Sequence, residues 1–312
     1  MDIDDAPKAP FNPAEWINTG KKYKEVPQSV SLARQGATAL PSDIRDTLPR
    51  QDEPIQDFIQ RALPKQSNGF NTSPMHTWFS YKEPNAISNQ DIFKNTMRRS
   101  IPSQDVINKL DDEFGQQWLD GKRSIVDPRY NDRYPFWVLT VWREISSLIK
   151  KQKDWREAYT CVVQEMKGDI VSQVYPAVNS FLGSRGWNSK IEIGGFEFTS
   201  HTFAQLLCKQ PLYEDVTQAM ISVLQQRLQK SQEQYPHHVI AASRFYLVLD
   251  IAANRERSKK KVPSSLKVTE DHVRQDPHTV LWFPVLHSGH EVAICVDFGT
   301  KEIQYGELFN NE

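Results

Sequence analysis

Two titratable residues near the end of the sequence have types and spacing that could support acid–base chemistry. His290 and Glu307 lie 17 positions apart, and each borders an apolar run. A carboxylate beside an imidazole fixes the ring tautomer and favours the charged form, which suits a general base. Such a pair acts on a substrate only with a nucleophile, and no nucleophilic side chain follows Glu307.

The surrounding pattern predicts how this pair is positioned. Three apolar runs, Val280–Leu286, Val292–Phe298 and Ile303–Tyr305, are separated by the short polar turns 288–289 and 299–301. Apolar runs of this length between turn residues are typical of a β-meander. The histidine opens the second strand and the glutamate follows the third. We therefore expect the two side chains to be neighbours on adjacent antiparallel strands.

Simpler interpretations of these residues remain open. His290 can be a turn histidine at a strand edge, and Glu307 an ordinary carboxylate at a strand end. His287 and His290 form a His-x-x-His pair, but no third ligand accompanies them, so we predict no metal site.

The three cysteines do not supply the missing nucleophile. Cys295 lies five residues beyond His290 in the same predicted strand, and an odd offset places the two on opposite faces. Cys161 and Cys208 fall on apolar helix faces and are expected in the core. Three widely spaced cysteines without a CxxC pattern predict neither disulfides nor structural zinc. A reducing compartment, nuclear or cytoplasmic, is expected.

Composition narrows the functional classes further. With 38 basic and 39 acidic residues the formal net charge is -1, so the sequence has no electrostatic footprint for direct nucleic-acid or anionic membrane binding. The first residues lack the apolar run of a signal peptide, and no stretch is long enough to cross a bilayer. We expect no cofactor.

The first 85 residues are predicted to be a disordered leader. They contain ten of the 19 prolines, which interrupt helices and strand ladders, and the mean hydropathy of the chain is low at -0.60. Within this leader, Ile55–Leu63 is expected to form only one or two transient helical turns.

Residues 86–190 are predicted to be a helical region. A helix beginning near Ser103 presents Val106, Ile107, Leu110, Phe114 and Trp118 on one face and stops at Gly121. A second helix is predicted over Phe136–Lys150. A third is predicted from Asp154, which resembles a capping box with Glu157, to near Met166. The aromatic cluster Trp137, Trp142 and Trp155 favours core packing, with a partner-binding groove as the alternative.

The pattern changes after residue 190. Ile191–Phe198 alternates around Gly194-Gly195 and predicts a hairpin. Helices are predicted at Thr202–Cys208 and from Glu214 to about Lys230. The longer helix is expected to point five apolar side chains inward: Val216, Met220, Val223, Leu224 and Leu228. Val239–Ile251 is ambiguous between helix and strand. The basic stretch Arg255–Lys261 is either a solvated loop or a nuclear-localisation patch.

Three short segments carry a resemblance to a known family. Leu212-Tyr213-Glu214-Asp215 opens a helix, Phe283-Pro284-Val285 leads into His290, and Tyr305-Gly306-Glu307-Leu308-Phe309 follows. Their order and spacing resemble the first part of the catalytic domain of ubiquitin-like-protein proteases of the SUMO-protease type. There, Trp-Leu-x-Asp, a strand ending in His-Trp, and Tyr-x-Asp-Ser-Leu occupy these places. The resemblance runs from about Gly194 to Phe309, so the first 190 residues lie outside it.

The resemblance implies an α+β fold with a partial papain-like cysteine-peptidase domain at 191–312. It implies that His290 and Glu307 are catalytic and that Leu212, Asp215 and Glu291 bind substrate, a ubiquitin-like modifier or its protein conjugate. The sequence departs from the family at three of these positions, because Leu212 and Glu291 replace the indoles that cover a diglycine tail, and Glu307 replaces Asp. Asp215 matches, but it also suits a helix N-terminus electrostatically.

In the family, the nucleophilic Cys and an oxyanion-stabilising Gln follow the orienting carboxylate by some tens of residues. We therefore expect a cysteine peptidase by resemblance, inactive as the 312-residue chain. A non-catalytic binding protein that keeps part of the peptidase fold is the alternative. A third interpretation is an unrelated helical interaction protein.

Overall fold

The chain divides into two compact units, Met1–Trp187 and Asn188–Glu312. A computed structural model describes residues 15–67, 74–162, 169–207, 214–255, 264–287 and 290–306. Both helices and strands occur, as an α+β chain requires. The division lies close to residue 191, where the sequence pattern changes.

The N-terminal unit packs helices against a small antiparallel sheet. Its described helices are α1 (Gln28–Ala37), α2 (Ser42–Arg45), α3 (Ile55–Gln60), α4 (Asn89–Arg98), α5 (Gln104–Leu119), α6 (Trp137–Thr160) and α7 (Asp169–Ser184). The sheet has the order β1 (Phe79–Ser80), β2 (Ser124–Asp127) and β3 (Asp132–Tyr134). One continuous core joins side chains of α1, α2, α4, α5 and α6 and of the three strands.

The predicted helix after Ser103 is confirmed as α5. The Ser103 hydroxyl accepts a hydrogen bond from the Val106 amide at 3.4 Å, which caps the first turn. Gly121 ends the helix with a φ of 83°, a left-handed conformation that glycine adopts without steric cost. Ile107, Leu110 and the other residues of the predicted face are buried.

The second and third predicted helices form one helix, α6, so the capping box at Asp154 is wrong. No Gly or Pro interrupts residues 137–160, and the segment around Asp154 consists of good helix formers. Gln152 and Trp155, three residues apart, are both buried, and this continuous face holds the helix together through the predicted break. The tryptophans of α6 are buried, which confirms core packing.

The prediction of a disordered leader is wrong for the described residues 15–67 and 74–85. Ile44, Ile55, Phe58 and Trp78 all have 0% exposure, and α3 is fixed by specific contacts. The Ile55 amide donates to the Arg185 carbonyl at 3.0 Å. The described residues of segment 1–85 therefore belong to the same unit as residues 86–187.

Four prolines in this segment directly precede helical turns instead of disrupting them. Pro27, Pro41 and Pro54 directly precede α1, α2 and α3, and Pro74 precedes the 3-10 turn Met75–Trp78. The first amides of a helix have no intrahelical partner, so a residue without an N–H costs nothing there. Proline density alone does not distinguish a disordered tail from several short capped helices.

The C-terminal unit contains a hairpin, helices and a four-stranded sheet. Its described elements are β4 (Lys190–Ile193), β5 (Phe196–Thr199), α8 (His201–Leu207), α9 (Glu214–Lys230), β6 (His238–Ile240), α10 (Phe245–Arg255), α11 (Ser264–Gln275), β7 (Val280–His287), β8 (His290–Asp297) and β9 (Glu302–Gly306). The predicted hairpin is confirmed, with Ile193 opposite Phe196. Gly194 and Gly195 occupy its turn with φ values of 60° and 83°.

Two predictions for the C-terminal unit need correction. The inward face of α9 includes Val216, Ala219 and Ile221, whereas Met220 and Leu224 are 45% and 48% exposed. The ambiguous stretch after Val239 contains both alternatives, since a short strand, β6, is followed by helix α10. Helix α11 was not predicted, and the basic residues 256–261 lie outside the described part of the chain.

Candidate functional site

The sheet that carries His290 has the order β6-β7-β8-β9. The predicted meander is confirmed: β7 and β8 are antiparallel, and β8 and β9 follow in the same way. Strand β6 extends the sheet and pairs with β7 in parallel, from His238 opposite Val280 to Ile240 opposite Trp282. On one face, Leu281 and Phe283 pack against Phe245 of α10.

The two residues proposed for catalysis are described unequally. His290 is the first residue of β8 and lies opposite His287, and Glu291 lies opposite Leu286. Only the backbone of these four positions is described. The described part of β9 ends at Gly306, opposite Ala293, and Glu307 lies outside the described residues. The proximity of the two side chains stays a prediction.

One of the remaining predicted site positions belongs to α9. Asp215 is the second residue of this helix, and Leu212 lies outside the described residues. Hydrogen bonds connect α9 to the chain around β6. The Gln225 side-chain amide donates to the Ile240 backbone carbonyl at 2.7 Å, and the Ser243 backbone amide donates to the Gln218 side-chain Oε1 at 2.9 Å.

Cys295 is unsuited to act as a nucleophile. It lies in β8 between Trp282 of β7 and Gln304 of β9, and its side chain is buried. Burial first, and the nearby charge of Asp297 second, raise the pKa of the Cys295 thiol. The reactive form of cysteine is the thiolate, and a raised pKa disfavours that form.

The turn between β8 and β9 is held by Asp297. Its carboxylate accepts hydrogen bonds from the amides of Gly299 and Thr300, at 2.8 and 3.0 Å. These bonds stabilise the charged form and lower the pKa of Asp297, the bond to the Thr300 amide having the largest effect. Lys301 completes the turn with a φ of 61°. The turn sets the register that leads β9 back along β8.

Sequence reasoning missed a histidine–carboxylate pair at the start of the parallel strands. The ring nitrogen Nδ1 of His237 lies 2.7 Å from Asp276 Oδ2, and the His278 amide donates to Asp276 Oδ1 at 3.1 Å. The hydrogen bond with His237 is the largest cause of the lowered pKa of Asp276. An ionised carboxylate accepts only, so the His237 Nδ1 carries the proton and donates.

This pair could be found only by knowing that β6 and β7 are parallel. Residues just before β6 and just before β7 meet only if these two strands run in the same direction, and their short apolar runs do not show direction. Within the described residues, no group of three or more His, Cys, Asp or Glu side chains is arranged to hold a metal ion. The hydrogen bond to Asp276 orients the His237 imidazole beside the start of β6.

Comparisons with protein-family profiles, curated proteins and solved structures find no match to this chain. In the part of the chain that the structure describes, no helix combines the length and apolarity needed to cross a membrane.

Proposed function

We propose that the C-terminal unit recognises a ubiquitin-like modifier of the SUMO class, as a papain-like domain of the cysteine-peptidase type. The observation that carries this proposal is the register of β8 and β9. Asp297 lies opposite Glu302 and Ala293 opposite Gly306, so the strand that begins at His290 runs beside the strand that leads to Glu307. In the family that the sequence resembles, the histidine and the orienting carboxylate belong to neighbouring strands.

In the resemblance, His290 occupies the place of the base that accepts a thiol proton, and Glu307 that of the carboxylate that orients its ring. The sequence predicts that none of the three cysteines supplies that thiol. Leu212, Asp215 and Glu291 contact the C-terminal tail of the modifier. A glutamate is one methylene longer than the aspartate of the family. A misplacement of about 1 Å lowers the rate of such a site substantially.

The second candidate is a non-catalytic binding protein that keeps this part of the fold. The burial of Cys295 favours it, because a buried thiol with a raised pKa is a poor source of the attacking thiolate. Both candidates predict modifier binding, and they differ in whether a covalent intermediate forms.

Binding is tested first, with an isotopically labelled SUMO-class modifier titrated with the purified chain and followed by NMR. We expect the signals of the modifier's C-terminal glycines to shift. His290→Ala should alter these shifts, whereas His287→Ala, the matched change across the same hairpin, should leave them largely unchanged. If neither the SUMO-class modifier nor ubiquitin binds, the proposal is wrong.

Covalent chemistry is tested separately, with a modifier that carries a thiol-reactive electrophile at its C-terminal glycine. We expect the 312-residue chain to bind the probe without forming an adduct. Labelling of Cys295 that disappears in His290→Ala would instead identify an active peptidase and contradict our account of that thiol.

A further inference from the structure

An apolar cavity of about 310 Å³ opens in the C-terminal unit, between the β4–β5 hairpin, α8 and α9. Eight of its ten lining residues are apolar. The hairpin contributes Ile193 and Phe198, α8 contributes Phe203, and α9 contributes Val216, Met220 and Leu224. The cavity involves none of the residues assigned to the modifier site.

The mouth of the cavity leaves large apolar side chains in contact with water. Met220 and Leu224, one helical turn apart on α9, are each nearly half exposed. Removing apolar surface from water is favourable, and a concave apolar site with a few polar groups is the usual form of a small-molecule site. Methionine at such a site adapts its shape to different ligands.

One charged side chain lines this apolar space. Arg227 lies one turn beyond Leu224 on α9, and it forms no ion pair with any described residue. A guanidinium can bind a carboxylate through two parallel hydrogen bonds. Apolar walls and one cation at the rim, without an ion-pair partner among the described residues, together fit a ligand with an apolar chain and an anionic head.

The volume distinguishes a small ligand from a protein helix. Small-molecule sites span about 300–1,000 Å³, and this cavity lies at the lower limit. A bound helix needs an extended groove with anchors over several turns. The apolar side chains here line one compact space instead.

We propose that this cavity binds a medium-chain carboxylate amphiphile, a fatty acid whose chain fills the apolar space and whose carboxylate pairs with Arg227. The site is independent of the proposed modifier recognition, because it shares no residue with that site and its ligand is of a different class.

The test uses the purified full chain and a fluorescent fatty acid displaced by straight-chain carboxylates from hexanoate to hexadecanoate. Each added methylene should strengthen binding about fourfold until the cavity is filled, after which the gain should stop. Leu224→Glu should abolish binding, since it introduces a negative charge at the mouth. Leu224 is already half exposed, so this change should leave folding intact.

The role of Arg227 is tested by comparing two head groups. Arg227→Gln should weaken decanoate binding about fivefold and leave the binding of the neutral decan-1-ol unchanged. Lys230→Gln, which removes a charge on the same helix outside the cavity, is the matched control and should change neither ligand.

Three results would overturn the proposal. They are the absence of saturable decanoate binding, an equal affinity for decanoate in the wild type and Arg227→Gln, and displacement of the fluorescent ligand by a ubiquitin-like modifier but not by fatty acids. The last result would make the cavity a protein-docking site. Failure of modifier binding in the earlier experiment would leave this proposal unaffected.

Discussion

Replacing Phe58 with alanine should destabilise the N-terminal unit strongly, although Phe58 lies in the proline-rich segment that the sequence assigns to a disordered leader. Its side chain has 0% exposure. Its ring stacks on Trp187 with centroids 4.4 Å apart and an interplanar angle of 16°. The substitution removes this stack and leaves a cavity between α3 and the end of the unit.

The structure sets the expected size of the effect. Truncation of a fully buried Phe to Ala costs about 3–5 kcal/mol of unfolding free energy, including an aromatic pair contribution of roughly 0.5–1.5 kcal/mol. For a unit of this size the melting temperature should fall by about 6–20 °C. Phe58→Leu keeps most of the volume but loses the stack, and should cost about 1–2 kcal/mol.

Tryptophan fluorescence during urea denaturation measures this effect in the right unit, because seven of the eight tryptophans precede residue 188. Leu32→Ala, at a position 57% exposed on α1, is the control and should change the midpoint little. Equal midpoints for Phe58→Ala, Leu32→Ala and the wild type would mean that α3 is not packed. The interpretation as a disordered leader would then be correct.

Three further predictions concern single contacts. Gln152→Leu should lower the unfolding free energy by about 2–3 kcal/mol, measured by the same denaturation. The reason is that the Gln152 side-chain amide donates to two backbone carbonyls at the end of α3, at 2.7 and 2.8 Å. A loss below 0.5 kcal/mol, about that of an ordinary surface change, would contradict this prediction. Gly194→Ala should destabilise the C-terminal unit by about 1–3 kcal/mol more than Gly195→Ala, by circular dichroism melting. Both glycines have positive φ, but only a Cβ at Gly194 meets Ser222, at 2.7 Å. The lowered pKa of Asp297 contributes stability that is complete above the ordinary carboxyl pKa of about 3.9 and is lost as the pH falls through the lowered value. Asp297→Asn should therefore remove this acid-dependent part of the urea midpoint. An unchanged pH profile of the midpoint would refute this prediction.

The sequence predicted those elements whose signals are local. Ser103 and Gly121 mark the ends of α5 because a cap and a left-handed glycine act within one turn. The β4–β5 hairpin and the β7–β9 meander follow from alternation and turn residues. These features depend on residues a few positions apart, which a single sequence displays directly.

Features that depend on distant contacts could not be predicted in this way. The sequence around Asp154 resembles a helix start, but the chain continues through it as one helix. Gln152, in the same stretch, donates hydrogen bonds to the end of α3, more than 90 residues earlier in the chain. The apolar stripe on α9 was visible, but periodicity does not show whether Met220 and Leu224 meet a packed core or an open cavity. The pairing of His237 with Asp276 required knowing that β6 and β7 are parallel.

The contacts of Trp187 have a consequence for synthesis of the protein. The Trp187 amide donates to the Glu53 carbonyl at 2.9 Å, and its indole donates to the Arg50 carbonyl, 137 positions away. At a translation rate of about 5–20 residues per second, the ribosome needs roughly 7–27 s to add the intervening residues. During that time Phe58 lacks the Trp187 ring on which it stacks. We expect the nascent chain to expose this apolar surface and to depend on chaperones until residue 187 leaves the exit tunnel.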